Sequence, residues 1–265
     1  MIKITLSYLI LHVAILNAAA TSSIENLLAS KSVKNFQQYT SLGKIYNANE
    51  NNSFDYKMSF TPSKVGLEID VKTPVTSSSL RLSSNYAVMQ STFTVHDSAL
   101  KEKVGYDERI ALRNTYDEVV FSYYENKEKL KHKGVYYTKN TIDSFSIIPI
   151  LQVLCNSAES TFTAEFSVQH MGLKVPVAIL KKKTSNVLPF FDRYTLSPKL
   201  EAFFRSFNEE VFVYSLKVTG WQGFIYNHRH FYVFSAKPPY YYRGHWGGPN
   251  EMNLISWADD TLTQP

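Results

Sequence analysis

The sequence predicts an all-β protein, mainly antiparallel, in which a curved or barrel-like sheet carries one or two short helices. Three observations predict it. Period-two alternation of apolar and polar residues recurs along most of the chain. Tyr (18) and Phe (17) are abundant, as suits a pleated, half-buried surface. Helical periodicity is confined to two short stretches.

The alternation starts at Phe54, where Phe54, Tyr56, Met58 and Phe60 interleave with Asp55, Lys57 and Ser59. Val65, Leu67, Ile69 and Val71 interleave in the same way with Gly66, Glu68, Asp70 and Lys72. Such a pattern gives a strand one buried and one wet face. Thr61-Pro62-Ser63 between the two reads as a turn. Further strands are expected at 86–95, 118–124, 134–139, 162–168, 175–180, 211–218, 230–236 and 252–257. The first helix is expected within 141–154, N-capped by Asp143 or Ser144, with Phe145, Ile148, Leu151 and Leu154 on one face. Pro149 would kink or shorten it. The second is expected at 198–207, with Pro198 in its first turn. There is no internal repeat and no low-complexity linker, which argues for one β-rich domain over 21–265, with 21–53 a loosely ordered arm.

Residues 1–20 read as a cleavable secretory signal peptide. Lys3 supplies the charge, residues 4–16 the short apolar run, and Ala18-Ala19-Ala20 the small-residue site, with cleavage before Thr21. The run is too short to span a bilayer and ends in alanines rather than a basic stop, which argues against an uncleaved anchor. Removing Lys3 leaves 27 basic against 23 acidic residues, a mild charge that gives no reason to invoke nucleic acid. No transmembrane run recurs after the signal. One cysteine, Cys155, excludes an internal disulfide, so an exported chain of this kind fits a bacterial periplasm, or bacterial secretion. Cys155 sits in an apolar stretch with no local His, as expected of a buried, inert thiol. Asn51-Asn52-Ser53 matches a glycosylation sequon, in such a setting a chance match.

Two segments, 141–148 (Thr-Ile-Asp-Ser-Phe-Ser-Ile-Ile) and 255–265 (Ile-Ser-Trp-Ala-Asp-Asp-Thr-Leu-Thr-Gln-Pro), resemble a family of bacterial exported proteins, the domain of unknown function numbered 3108. The first is similar to that family's short D-P-L-S helix, the second to its ending of a Trp-bearing strand, an acidic turn and a Pro. The resemblance covers about residues 110–265 and departs at Ser144, where the family has Pro, and at Pro265, where the family adds a strand. It implies a periplasmic, barrel-like sheet and carries over no activity and no catalytic residue.

Three constellations are candidates for chemistry. The densest is 237–249, Lys-Pro-Pro-Tyr-Tyr-Tyr-Arg-Gly-His-Trp-Gly-Gly-Pro. Tyr240, Tyr241, Tyr242, Arg243 and Trp246, with Trp221, are candidate ligand contacts, since flat faces with polar tips can stack sugar rings or cover a lipid pocket. The plainer reading is an aromatic loop that seals one end of a barrel. Lys127, Lys129, Lys131 and Lys133 alternate, so on a strand they share one face, either to meet anionic headgroups or to guard an edge. Lys181, Lys182 and Lys183 read as a solvated turn. His228, His230 and His245, with Glu251, could hold zinc, although Arg229 opposes a cation, and solvated or structural histidines are the plainer reading.

No G-x-S-x-G, H-E-x-x-H, phosphate loop or C-x-x-C occurs, and Asp259-Asp260 reads as a turn. Enzyme is therefore the weaker class, and no cofactor is expected. The partners expected are a lipid or an envelope protein. The reading is a non-enzymatic binder of an amphipathic envelope ligand. The alternatives are a filled-core interaction module and a metal-dependent hydrolase.

Overall fold

The computed structural model describes residues 22–23, 28, 36–47, 53–113, 118–136, 141–143, 146–168, 173–191, 196–220, 229–247 and 254–263. The expected signal peptide, nearly all of 21–35, Trp221, His228 and Glu251 lie outside them, whereas 39–47, expected within the loosely ordered arm 21–53, is a strand paired on both sides.

Strands β2 (Tyr39–Asn47), β3 (Ser53–Pro62), β4 (Gly66–Lys72), β5 (Thr76–Ser83), β6 (Val88–Val95), β7 (Glu108–Arg113), β8 (Glu118–Glu125) and β9 (Glu128–Tyr136) form one antiparallel meander. A second meander runs through β11 (Thr161–Val168), β12 (Leu173–Thr184), β13 (Val211–Val218), β14 (Arg229–Ser235), β15 (Tyr242–Gly247) and β16 (Leu254–Thr263). β16 pairs antiparallel with β2 and fuses the two into one 16-stranded sheet. Two short strands, β1 (Ser22–Ser23) and β10 (Thr141–Asp143), both pair parallel to β11. The sheet is curved and not closed.

Chain reach requires the curvature. From β11 to β9 the strand order crosses thirteen spacings, about 60 Å if laid flat. Yet β9 ends at Tyr136 and β10, already against β11, begins at Thr141. Five residues span at most about 17 Å, so the ends of the sheet must roll toward each other.

The concave face is filled. Tyr56, Met58 and Phe60 of β3, Leu67 and Ile69 of β4, and Leu80 and Leu82 of β5 point into it, as the alternation in 54–72 requires. Helix α2 (Ile147–Leu154) lies against them, burying Ile147, Pro149, Ile150, Leu151, Gln152 and Leu154. α1 (Ser98–Val104), absent from the sequence expectations, is started by Asp97, whose carboxylate accepts from the Leu100 N–H, and stopped by Gly105 at φ 73°. α3 (Pro198–Ser206) matches expectation, with Ser197 as N-cap and Pro198 first in the helix. It packs with the 3-10 turn Leu188–Phe190 on the convex side, over Val211, Val213, Phe231, Val233, Trp246 and Trp257.

α2 is shorter than expected. Thr141–Asp143 is strand, and Ser146, not Asp143 or Ser144, occupies the N-cap, without a side-chain bond. Leu151 and Leu154 are buried as expected, Ile148 is half-buried and Phe145 lies outside the described residues. Pro149 is the third helical residue, where the N–H has no helical acceptor anyway, so it starts this helix without breaking it. Nearly all faces of α2 are buried, which a one-sided stripe did not foresee.

Leu151 is fully enclosed. Leu151→Ala should therefore lower the unfolding free energy by about 2–5 kcal/mol. Urea denaturation should show an earlier midpoint with an unchanged slope.

Candidate functional site

The aromatic segment does not form one platform. Its first part, 237–241, is a turn between β14 and β15. The Tyr240 N–H donates to Lys237 O (2.8 Å), and the Ser235 N–H donates to Tyr241 O (2.9 Å). This turn is clasped to α2. Gln152 Nε2 donates to Pro239 O (3.1 Å), Tyr39 Oη donates to Gln152 Oε1 (2.8 Å), and Tyr240 Oη donates to Asn156 Oδ1 (3.4 Å). Tyr241 lies 4.8 Å from Tyr39, which stacks on Phe60 at 4.3 Å. Burial pushes the Tyr39 hydroxyl well above its ordinary pKa. The turn thus packs onto α2 and the Tyr39–Phe60 stack.

The second part is strand β15, which the sequence reading treated as loop. Val233 pairs with Gly244 and Phe234 with Tyr242, so Arg243 is the extra residue of a β-bulge. The bulge breaks the alternation and sends Tyr242 and Trp246 to opposite faces. Tyr242 joins the concave cluster. Trp246 is enclosed on the convex side, stacked between Phe191 (4.1 Å) and Phe231 (5.1 Å). Trp246 therefore does not form one ligand surface with Tyr240 and Tyr241.

His245 lies on the concave face, stacked on Tyr232 (5.6 Å), with Nδ1 2.5 Å from Tyr242 Oη. Burial, and then the nearby charge of His230, pulls its pKa down to about 4. It is a neutral, hydrogen-bonded histidine at ordinary pH. No group of three or more His, Cys, Asp or Glu that could hold a metal occurs among the described residues.

The lysine row is also broken. Asn126 and Lys127 both have positive φ and form the two-residue turn between β8 and β9, so Lys127 is not in a strand. A register shift follows: Lys129 pairs with Tyr124 but Lys131 with the adjacent Tyr123, and Lys133 with Phe121. The turn at Lys127 and the register shift after Lys129 thus interrupt the unbroken strand that the alternating row presumes. β9 ends the strand order, as the edge reading requires.

Cys155 is buried, its thiol pushed up to about 12 by burial, and Sγ donates to Leu151 O (3.4 Å). Lys181 corrects a sequence expectation. It belongs to β12, not to a solvated turn, and its ammonium donates to the carbonyls of Leu154 and Ser157 at the end of α2. Burial lowers its pKa.

Sequence reasoning missed a convex-side cleft of about 370 Å³ between α3 and β15–β16. Phe203, Phe207 and Trp257 wall it. Glu209 and Arg243 form a bidentate ion pair there, Nη2–Oε2 2.5 Å and Nε–Oε1 3.3 Å. Arg243 was a candidate; Phe203, Phe207 and Glu209 lie 34 to 40 residues before it and Trp257 lies 14 after it, spacings that no local motif reveals.

No family model matches the chain, and no curated protein matches it. Among solved structures it is similar to a β-barrel-like protein of the domain of unknown function DUF1849 from Brucella abortus. The TM-score is 0.44 at 9% identity, over 85% of this chain and 99% of that one. That likeness is to a bacterial β-rich protein of unknown function and is not to the family numbered 3108.

Trp246→Ala should cost about 3–5 kcal/mol of stability, because it empties a closed aromatic stack; chemical denaturation measures it. A second expectation concerns acid. The unfolded chain protonates His245 near its ordinary value of about 6.5 while the folded chain resists until about 4. Stability should therefore fall as pH drops through that window, by up to about 3 kcal/mol, and level off below it. Denaturation of His245→Gln across the same window should lack this component.

Proposed function

We propose that this chain is an exported bacterial cell-envelope protein, a β-barrel-like module that works by binding and not by catalysis, with its concavity occupied by its own helix. The observation that carries this reading is the clasp of Tyr39, Gln152 and Pro239, which seats α2 against the concave face. Tyr39, Phe60, Leu151, Leu154, Phe162, Tyr214, Phe234 and Tyr242 are all enclosed around it. A carrier in its loaded form needs a cavity among such side chains. Here the helix occupies that place, which supports the interaction module over the lipid carrier. Burial pushes the Cys155 thiol up and pulls His245 down, both away from the near-neutral values that nucleophilic or general acid–base chemistry uses. Export rests on the reading of residues 1–20.

Native mass spectrometry of protein recovered from a bacterial periplasm without detergent tests both parts. The expected result is a polypeptide beginning at Thr21 with no added mass. A reproducible extra mass that extracts as lipid would instead make the chain a carrier, with α2 displaced by cargo and the β9 lysines as headgroup contacts. A retained N-terminus would remove cleavage before Thr21, and failure to recover the chain from the periplasm at all would remove export.

A further inference from the structure

We propose that the convex-side cleft is a saccharide-binding site. Three observations on this cleft carry the proposal. Its walls are aromatic but not sealed: Phe203 is 37% exposed and Phe207 stands half-buried beside it, with Trp257 closing the floor behind them at 6.0 and 5.2 Å. The apolar C–H face of a sugar ring packs on such a surface. Its polar end is a paired donor and acceptor, not a net charge. Arg243 offers only donors and Glu209 only acceptors, and the two neutralise each other. A phosphate would meet Glu209, and an ammonium would meet Arg243. A hydroxyl both donates and accepts, so two neighbouring sugar hydroxyls satisfy the pair together. Asn208 and Ser206 add polar groups at the exposed rim. The volume, about 370 Å³, lies at the small end of ligand sites and suits one or two rings.

The site is also rigidly built. Arg243 is aimed by the β15 bulge, and its side chain is 12% exposed. Phe203 and Phe207 are fixed by edge-on packing against Trp257, itself enclosed beneath α3. Positioning from a helix, a bulge and a buried Trp is what keeps a shallow polar site in register with its ligand.

Saturation-transfer NMR on the purified protein, with cellobiose and N,N′-diacetylchitobiose as probes, tests this. Transfer to ring protons of at least one sugar is expected. It should weaken at least about fivefold in Phe203→Ala and in Glu209→Gln. Arg205→Ala, outside the cleft lining, should leave it unchanged. Near-UV circular dichroism establishes that the variants keep the fold. Transfer from neither sugar overturns the proposal, and so does transfer that survives both cleft substitutions in folded protein. Either result leaves the filled concavity standing, since that is read from the mass of the unloaded chain.

Discussion

The pairing of β16 with β2 is the constraint on which the rest of the molecule depends. Each meander is built from neighbouring strands, which local turns can pair. Among the described residues, the strand pairing that joins them is the register from Leu254↔Asn47 to Thr263↔Thr40, which brings together segments from opposite ends of the chain. The approach is close at Gly43: a Cβ there would sit 2.3 Å from Trp257 O and 2.7 Å from the Tyr56 ring. Glycine is the residue that lets the two backbones and that ring meet. Tyr39 begins the same strand. It stacks on Phe60 of the first meander, touches Tyr241 of the second and bonds Gln152 of α2. Losing the β2–β16 register would separate the groups that hold the helix in place.

β13, β14 and β15 have an unusual duty within this sheet, because both their faces are buried. Tyr214, Leu216, Tyr232 and Phe234 belong to the concave cluster, while Val211, Val213, Phe231 and Val233 belong to the convex one. A strand of this kind needs apolar residues without interruption, and Phe231-Tyr232-Val233-Phe234 supplies them. β15 instead reconciles the two sides by a bulge. Its extra residue lets Tyr242 face inward and Trp246 outward although four positions separate them. That irregularity places Arg243 beside Glu209, so the convex cleft is a product of the way the concave face is sealed.

What could be read from the sequence follows the same physics. Residues 54–72 were legible because one face is apolar and the other wet. The 211–218 and 230–236 strands were legible from β-branched and aromatic density. β5 was not, because Thr76-Ser77-Ser78-Ser79 carries no apolar alternation and only Leu80 and Leu82 reach the core. β7 reverses the usual pattern: Arg109 and Ala111 are buried, while Leu112 is 50% exposed. Alternation is present there, but its polarity misleads. The seal at 237–241 was legible as a shaped aromatic turn. The separation of Tyr242 from Trp246 was not, since a one-residue bulge leaves no mark on composition.

An open sheet of this length must also manage two edges, each a row of backbone groups ready to pair with another chain. The ends are handled differently. On β11, β1 takes the positions beside Phe162 and Thr163, and β10 takes those beside Glu165, Phe166 and Ser167. Two short parallel pieces thus occupy successive stretches of one edge, and no room remains there for a long intruding strand. β9 has no such cover among the described residues, and its sequence, Glu-Lys-Leu-Lys-His-Lys-Gly-Val-Tyr, carries three lysines in nine residues. Charge opposes there what the parallel strands block at β11, because a neighbouring copy would have to bring a second set of lysines against the first. The register shift at Tyr123–Tyr124 adds a local twist to the same edge. A sheet that curls without closing leaves β9 at the end of its strand order, and among the described residues no other strand pairs with that edge.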